Sequence, residues 1–159
     1  MSLAARGVPP ARDPAAEPPP QYVGLVTRAL AFVVDAALVN LVATIAAAGI
    51  GLVLSVLDVS DELRPALIGI GGGAYLVWAA AWFVAFWSTT GQTPGSRALR
   101  IRVCDRAGAA VGPARALLRF GALLLAALPL FAGFLPVLFD DRRRGLHDLI
   151  AGTVVVERP

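Results

Sequence analysis

Long apolar runs separated by short polar segments form the main pattern of this sequence. Uncharged stretches cover residues 36–57, 66–87 and 120–139. About twenty apolar residues in a helix can cross the hydrocarbon core of a bilayer, because each residue adds about 1.5 Å. The pattern predicts an all-α integral membrane protein with two transmembrane helices. The first is expected to start near Tyr22 and end near Leu57, and the second to cover residues 66–87.

The third apolar run differs because Pro129, Gly133 and Pro136 interrupt it. Proline removes a backbone donor and breaks or kinks a helix. A complete crossing would also export the arginine triplet at residues 142–144, against the rule that basic segments stay on the cytoplasmic side. Residues 120–139 are therefore expected to form a broken, re-entrant segment, although their length alone would allow a full span.

Two short segments have the pattern of β-strands. Apolar and charged residues alternate over Leu99–Val103, and Thr153–Val156 is a β-branched run. A lone short strand is not stable, so the two segments are expected to pair as a small cytoplasmic β-hairpin-like element. Such pairing requires both segments to lie on one side of the membrane, which again favours a re-entrant third run.

The chain divides into a tail and a membrane domain. Residues 1–21 are rich in proline and alanine without apolar periodicity, which predicts a disordered tail before a membrane domain at 22–159. Arginines concentrate in residues 88–119, whereas the segment 58–65 is mainly acidic. The positive-inside rule therefore predicts a multi-pass protein of the bacterial cytoplasmic (inner) membrane whose N-terminus is cytoplasmic.

Composition agrees with this class. Hydrophobic residues make up 57% of the 159 residues, whereas soluble domains have roughly 45–50%. The net charge of +3 comes from arginines beside apolar runs, which indicates contact with membrane lipids that carry anionic headgroups and no nucleic-acid binding. The single Cys104 excludes an internal disulfide. No metal-ligand spacing or nucleophile–base arrangement appears, so we expect no metal, no cofactor and no enzymatic activity.

Arg28 and Asp35 bracket the entrance to the first apolar run. Seven residues place them on one helix face but about 10 Å apart, so Asp35 is expected to find its partner in another segment. The natural candidates are Arg142, Arg143 and Arg144. One hypothesis is an ion-pair latch that holds the fold together. The alternative is a proton- or cation-handling site, since carboxylates within membranes serve such pathways.

Further candidates lie in polar segments beside the apolar runs. His147 and Asp148 follow the arginine triplet; a histidine with an ordinary pKa near 6.5 can shuttle protons, but a hydrogen-bonded structural histidine is the favoured interpretation. Residues 91–95 lack the Lys-Ser/Thr pair of a phosphate-binding loop, so they are expected to form a turn. Gly69 and Gly73 predict close helix packing, within the chain or with a partner.

Three of these segments resemble motifs of the RDD family of bacterial membrane proteins, named for one arginine and two aspartates. The motifs are RALAFVVD at residues 28–35, GQTPGSRAL at 91–99 and RRGLHDLIAGT at 143–153. The resemblance extends over about residues 24–156 and maps the naming residues to Arg28, Asp35 and Asp148. Ser96 departs from it, because the family usually has lysine there.

The resemblance implies a role in transport. Some members are linked to cation/proton antiport, and actinobacterial members look like accessory proteins of Mce-type lipid uptake systems. Two complete spans offer little volume for a substrate pathway, so we expect a small accessory subunit associated with a larger membrane transport complex. The alternative is a proton-coupled monovalent cation antiporter that acts as a homo-oligomer, in which Asp35 and Asp148 carry protons or cations.

Overall fold

The computed structural model describes residues 20–57, 60–129 and 132–158. The helices are α1 (Leu25–Val56), α2 (Arg64–Thr89), α3 (Pro94–Ala98), α4 (Pro113–Ala127) and α5 (Leu146–Ala151), with 3-10 helices at Asp61–Leu63 and Ala132–Leu138. The strands are β1 (Ile101–Asp105) and β2 (Thr153–Glu157). The predicted disordered tail covers residues 1–21, and residues 1–19 of it lie outside the described residues. Gln21 is described, and its carbonyl accepts a hydrogen bond from the N–H of Glu157 at 2.9 Å.

The two predicted transmembrane helices are confirmed. α1 has 32 residues with a mean hydropathy of 2.3, and α2 has 26 residues with a mean hydropathy of 1.7. α2 starts slightly earlier than expected because Pro65 lies in its first turn, where a missing N–H costs nothing. Hydrogen bonds join the two helices, from Trp78 Nε1 to the carbonyl of Val39 at 3.4 Å and from the Tyr75 hydroxyl to Asn40 Oδ1 at 3.3 Å.

The predicted strand pairing is also confirmed. β1 and β2 are antiparallel, with Ile101 opposite Glu157 and Asp105 opposite Thr153. The segment before α1 lies along β2, since the N–H of Val23 donates to the carbonyl of Val155 at 3.1 Å. β1 starts two residues later than expected because Arg100 has a φ of 54°, a left-handed turn conformation that ends the connection from α3.

The third apolar run is bent, as expected for a re-entrant segment. α4 and the following 3-10 helix differ in direction by 105°. A Cβ added at Gly133 would lie 2.5 Å from the Cβ of Ala126, so glycine allows the 3-10 helix to fold back onto α4. β1 precedes this segment and β2 follows it. Because the two strands are hydrogen-bonded, both ends of the segment lie on one side of the membrane.

The buried core lies at one end of the long helices, next to the sheet. Phe83 of α2 stacks between Phe32 of α1 and Phe120 of α4, with ring centroids 5.7 and 5.9 Å apart. Trp87 is also buried there. The far halves of the two long helices, which are the C-terminal half of α1 and the N-terminal half of α2, contribute almost nothing to the core, because their side chains are largely exposed. The charged residues of the candidate site therefore gather at the packed end.

Candidate functional site

Asp148 occupies the centre of the packed end. It is the third residue of α5, and its Oδ2 accepts from the N–H of Gly145 at 3.2 Å, which satisfies one free donor at the start of that helix. Asp148 has no exposed surface. A buried carboxylate is stable only when charged or polar donors surround it. The side chain of Asp148 therefore needs hydrogen-bond donors from the elements that pack against α5.

Two arginines from distant segments complete the site. Arg28 of α1 donates through Nη1 to Oδ2 of Asp148, and Arg119 of α4 donates through Nη1 to Oδ1. The Thr153 hydroxyl donates to the same Oδ1 at 3.0 Å and accepts from Arg119 at 2.5 Å. The site joins α1, α4, α5 and β2. Arg28 and Asp148, two of the three naming residues of the resemblance, are thus in direct contact, which the sequence analysis did not predict.

Electrostatics keep the Asp148 carboxylate ionised. Burial by itself would raise the pKa of Asp148, but the charges of Arg119 and Arg28 outweigh it and hold the pKa below its ordinary value. The guanidinium of Arg119 also lies over the Trp87 ring, 4.8 Å from the centroid, which adds a cation–π interaction. Asp148, Arg28 and Arg119 thus form a buried cluster of ion pairs, which we call the buried latch.

His147 faces the same site as a neutral group. It is 3% exposed, and its ring packs at 5.1 Å against Phe134. Burial lowers the pKa of His147 to about 4, and the charges of Arg119 and Arg28 act in the same direction against the opposing effect of Asp148. The imidazole is therefore uncharged at neutral pH, which disagrees with a proton shuttle. Its buried Nδ1 has no hydrogen-bond partner among the described residues, so the hydrogen bond expected of a structural histidine is not found at this atom.

Asp35 belongs to a second, separate contact. It is buried, and it accepts from the Thr93 hydroxyl at 2.5 Å and from the N–H of Gly95 at 2.8 Å. A Cβ added at Gly95 would lie 2.1 Å from the carbonyl oxygen of Ala31, so only glycine allows this approach. Residues 91–93 form a buried turn and Pro94 and Gly95 begin α3, so the predicted turn covers only the first part of the segment that docks on α1.

The predicted latch between Asp35 and the arginine triplet is wrong. Arg144 instead pairs with Asp140, with Nη2 at 2.7 Å from Oδ1 and Nε at 2.9 Å from Oδ2. The N–H of Arg142 also donates to the Asp140 carboxylate at 3.1 Å, and Arg143 adopts a φ of 51° and approaches Gly24. Of the triplet, the side chain of Arg144 is thus paired locally with Asp140, and Asp35 instead contacts the neutral donors of Thr93 and Gly95.

Arg119, Thr93 and Thr153 are the site residues that sequence reasoning missed. α4 begins at Pro113, so Arg119 lies within a helix and not in the basic loop where the sequence placed it. Leucines and a phenylalanine flank Arg119, and a single charge in such surroundings needs a buried partner. That flanking pattern is the signal from which Arg119 could have been recognised.

Comparison with known proteins supports the motif assignment. The sequence model of the RDD family matches residues 22–152, which includes every residue of the two buried contacts except Thr153. No curated protein and no solved structure matches the chain.

Proposed function

This chain belongs to the RDD family, and from that premise we propose that it is a non-enzymatic accessory subunit that packs against a larger membrane transport complex. A lipid uptake assembly of the Mce type is one such complex. The observation that carries the proposal is the unpacked surface of α1 and α2. Their far halves expose most side chains, and a Cβ added at Gly69 or Gly73 would meet nothing within 4 Å.

Such a surface suits contact with other helices. In a membrane, helices associate through van der Waals packing at small residues, which let the backbones approach closely. Gly49 and Gly51 of α1 and the pair Gly69 and Gly73 on one face of α2 leave open space of this kind. The partner would therefore present transmembrane helices with small side chains, and its packing would continue the hairpin of α1 and α2.

The buried latch supports a structural role for the charged residues. Asp148 is fully buried and held by two arginines, so its carboxylate keeps its charge and contributes to the fold. An ion carrier needs a group that releases and accepts its ion. The packed end of the protein thus acts as a rigid base that orients α1 and α2 toward the partner.

The test is purification of the tagged protein from its native membrane in mild detergent, with identification of the proteins that accompany it. Gly73→Leu should remove a stoichiometric large partner, because leucine fills the open face. Gly71→Leu is the matched control, since about 100° per residue places it on the opposite face of α2. Recovery of a pure homo-oligomer, or equal loss of the partner with both variants, would contradict the proposal.

A second candidate function is proton-coupled monovalent cation antiport by a homo-oligomer. Asp35 favours it, because the described contacts of this buried carboxylate are with the neutral groups of Thr93 and Gly95. Asp35→Asn in proteoliposomes should then give a stable protein with lost or pH-shifted exchange. In the accessory role the same variant should lose stability or partner retention, with no exchange in the unmodified protein.

The proposed location is the bacterial cytoplasmic membrane, with the N-terminus and the small sheet on the cytoplasmic side. The positive-inside rule supports this orientation, because the sheet side carries most of the arginines. Single cysteines at Glu62 and Arg142 test it, in a background without Cys104. A membrane-impermeant thiol reagent applied to intact cells should label the first and not the second.

A further inference from the structure

A cleft lined by arginines lies where α2 ends, apart from the buried Asp148 site. Its volume is about 460 Å³, and its lining residues are Gln92, Arg97, Arg100 and Arg158. They come from the loop after α2, from α3, from the turn before β1 and from the residue after β2. We propose that this cleft binds a phosphate group, carried by an anionic lipid headgroup or by free phosphate.

Gln92 organises one wall of the cleft. It is 3% exposed, and its Nε2 donates to the carbonyl of Ile101 at 2.8 Å. Its Oε1 accepts from Nη1 of Arg158 at 2.8 Å, which holds that guanidinium at the cleft. The N–H of Arg158 also donates to the carbonyl of Arg100 at 2.8 Å. One guanidinium is therefore oriented in advance, with donors left for a ligand.

The other two arginines are exposed and carry charges that no described side chain neutralises. Arg100 has a φ of 54°, a conformation that disfavours every residue with a side chain and that glycine adopts readily. Three guanidinium groups at one cleft repel one another. An anion would relieve that repulsion, and guanidinium groups match phosphate oxygens with two parallel hydrogen bonds.

The position of the cleft suits the headgroup layer of the membrane. Gln92 follows the last residue of α2, Thr89, by only three positions. Arginine side chains near the end of a transmembrane helix extend toward the headgroups. The cleft therefore lies at the depth where phospholipids carry their phosphates, and the same donors would accept inorganic phosphate from solution.

Native mass spectrometry of the full chain in mild detergent measures binding of phosphatidylglycerol and of phosphatidylcholine. The cleft variant combines Arg97→Ala with Arg100→Gly. Its matched control combines Arg106→Ala with Arg142→Ala, which removes two exposed charges elsewhere. Affinity for phosphatidylglycerol should fall about fivefold for each arginine lost from the cleft, the factor expected of a basic residue at an anionic membrane surface.

Competition with inorganic phosphate distinguishes the two sources. If inorganic phosphate alone binds the unmodified protein and displaces phosphatidylglycerol, free phosphate is the ligand. If phosphatidylglycerol stays bound in the presence of phosphate, the lipid headgroup is the ligand. Equal losses in the cleft variant and its control, or no loss of either ligand, would overturn the proposal. Arg97→Gln alone changes only an exposed side chain and provides a folded variant, and Arg100→Gly should not lower the thermal midpoint.

Discussion

Replacement of Arg119 by glutamine is the sharpest test of the buried latch. α4 carries two arginines four residues apart in opposite environments. The side chain of Arg119 is 5% exposed and pairs with Asp148, whereas that of Arg115 is 50% exposed and lies 3.7 Å from Asp105. Arg119→Gln and Arg115→Gln therefore make the same chemical change on the same helix, and only the surroundings differ.

The structure sets the expected magnitudes. Removal of one partner of a buried ion pair costs about 3–5 kcal/mol, since the remaining charge is left without compensation. Arg28 still contacts Asp148 in the variant, which favours the lower end of that range. Loss of the contact with Trp87 adds about 1 kcal/mol. We expect a loss of about 4 kcal/mol for Arg119→Gln and less than about 1 kcal/mol for Arg115→Gln.

The assay is reversible unfolding of the detergent-solubilised protein, with the free energy of unfolding compared among the variants. Arg119→Gln combined with Asp148→Asn should cost less than the sum of the two single changes, because both act on one interaction. Additive losses, or similar small losses for Arg119→Gln and Arg115→Gln, would refute the reasoning that a buried charge pair stabilises this fold.

Three further predictions concern neighbouring groups. The pKa of His147 is lowered from 6.5 to about 4, so between these pH values the unfolded chain binds a proton that the folded chain does not. The free energy of unfolding should therefore fall by about 2–3 kcal/mol between neutral pH and about pH 4.5. His147→Gln should abolish that part of the pH profile. Gly95→Ala should lower the free energy of unfolding by at least about 2 kcal/mol, because the added Cβ would overlap a carbonyl of α1. Gly72→Ala is the control, because the space around Gly72 is open, and it should leave the free energy of unfolding unchanged or raise it by up to about 1 kcal/mol. Thr93→Val should cost about 1–3 kcal/mol, since Asp35 loses a donor, and an unchanged free energy of unfolding would show that this contact contributes nothing.

Local pattern was sufficient to determine the membrane class and the main elements. The lengths of the apolar runs at 36–57 and 66–87 set the two spans, because hydrophobic length and bilayer thickness are local properties. The prolines predicted the break in the third run. The two strand patterns predicted the pairing of β1 with β2, and that pairing placed both ends of the third run on one side.

The partners of the charged residues were determined only by the tertiary structure. Arg28 and Asp148 are 120 residues apart and Arg119 and Asp148 are 29 apart, so no spacing along the chain indicates their contact. Sequence reasoning assigned Asp35 to a distant arginine, whereas its hydrogen bonds are with Thr93 and with Gly95 at the start of α3. Charge identifies which residues need partners, whereas the packing of helices determines which partner lies within hydrogen-bond distance.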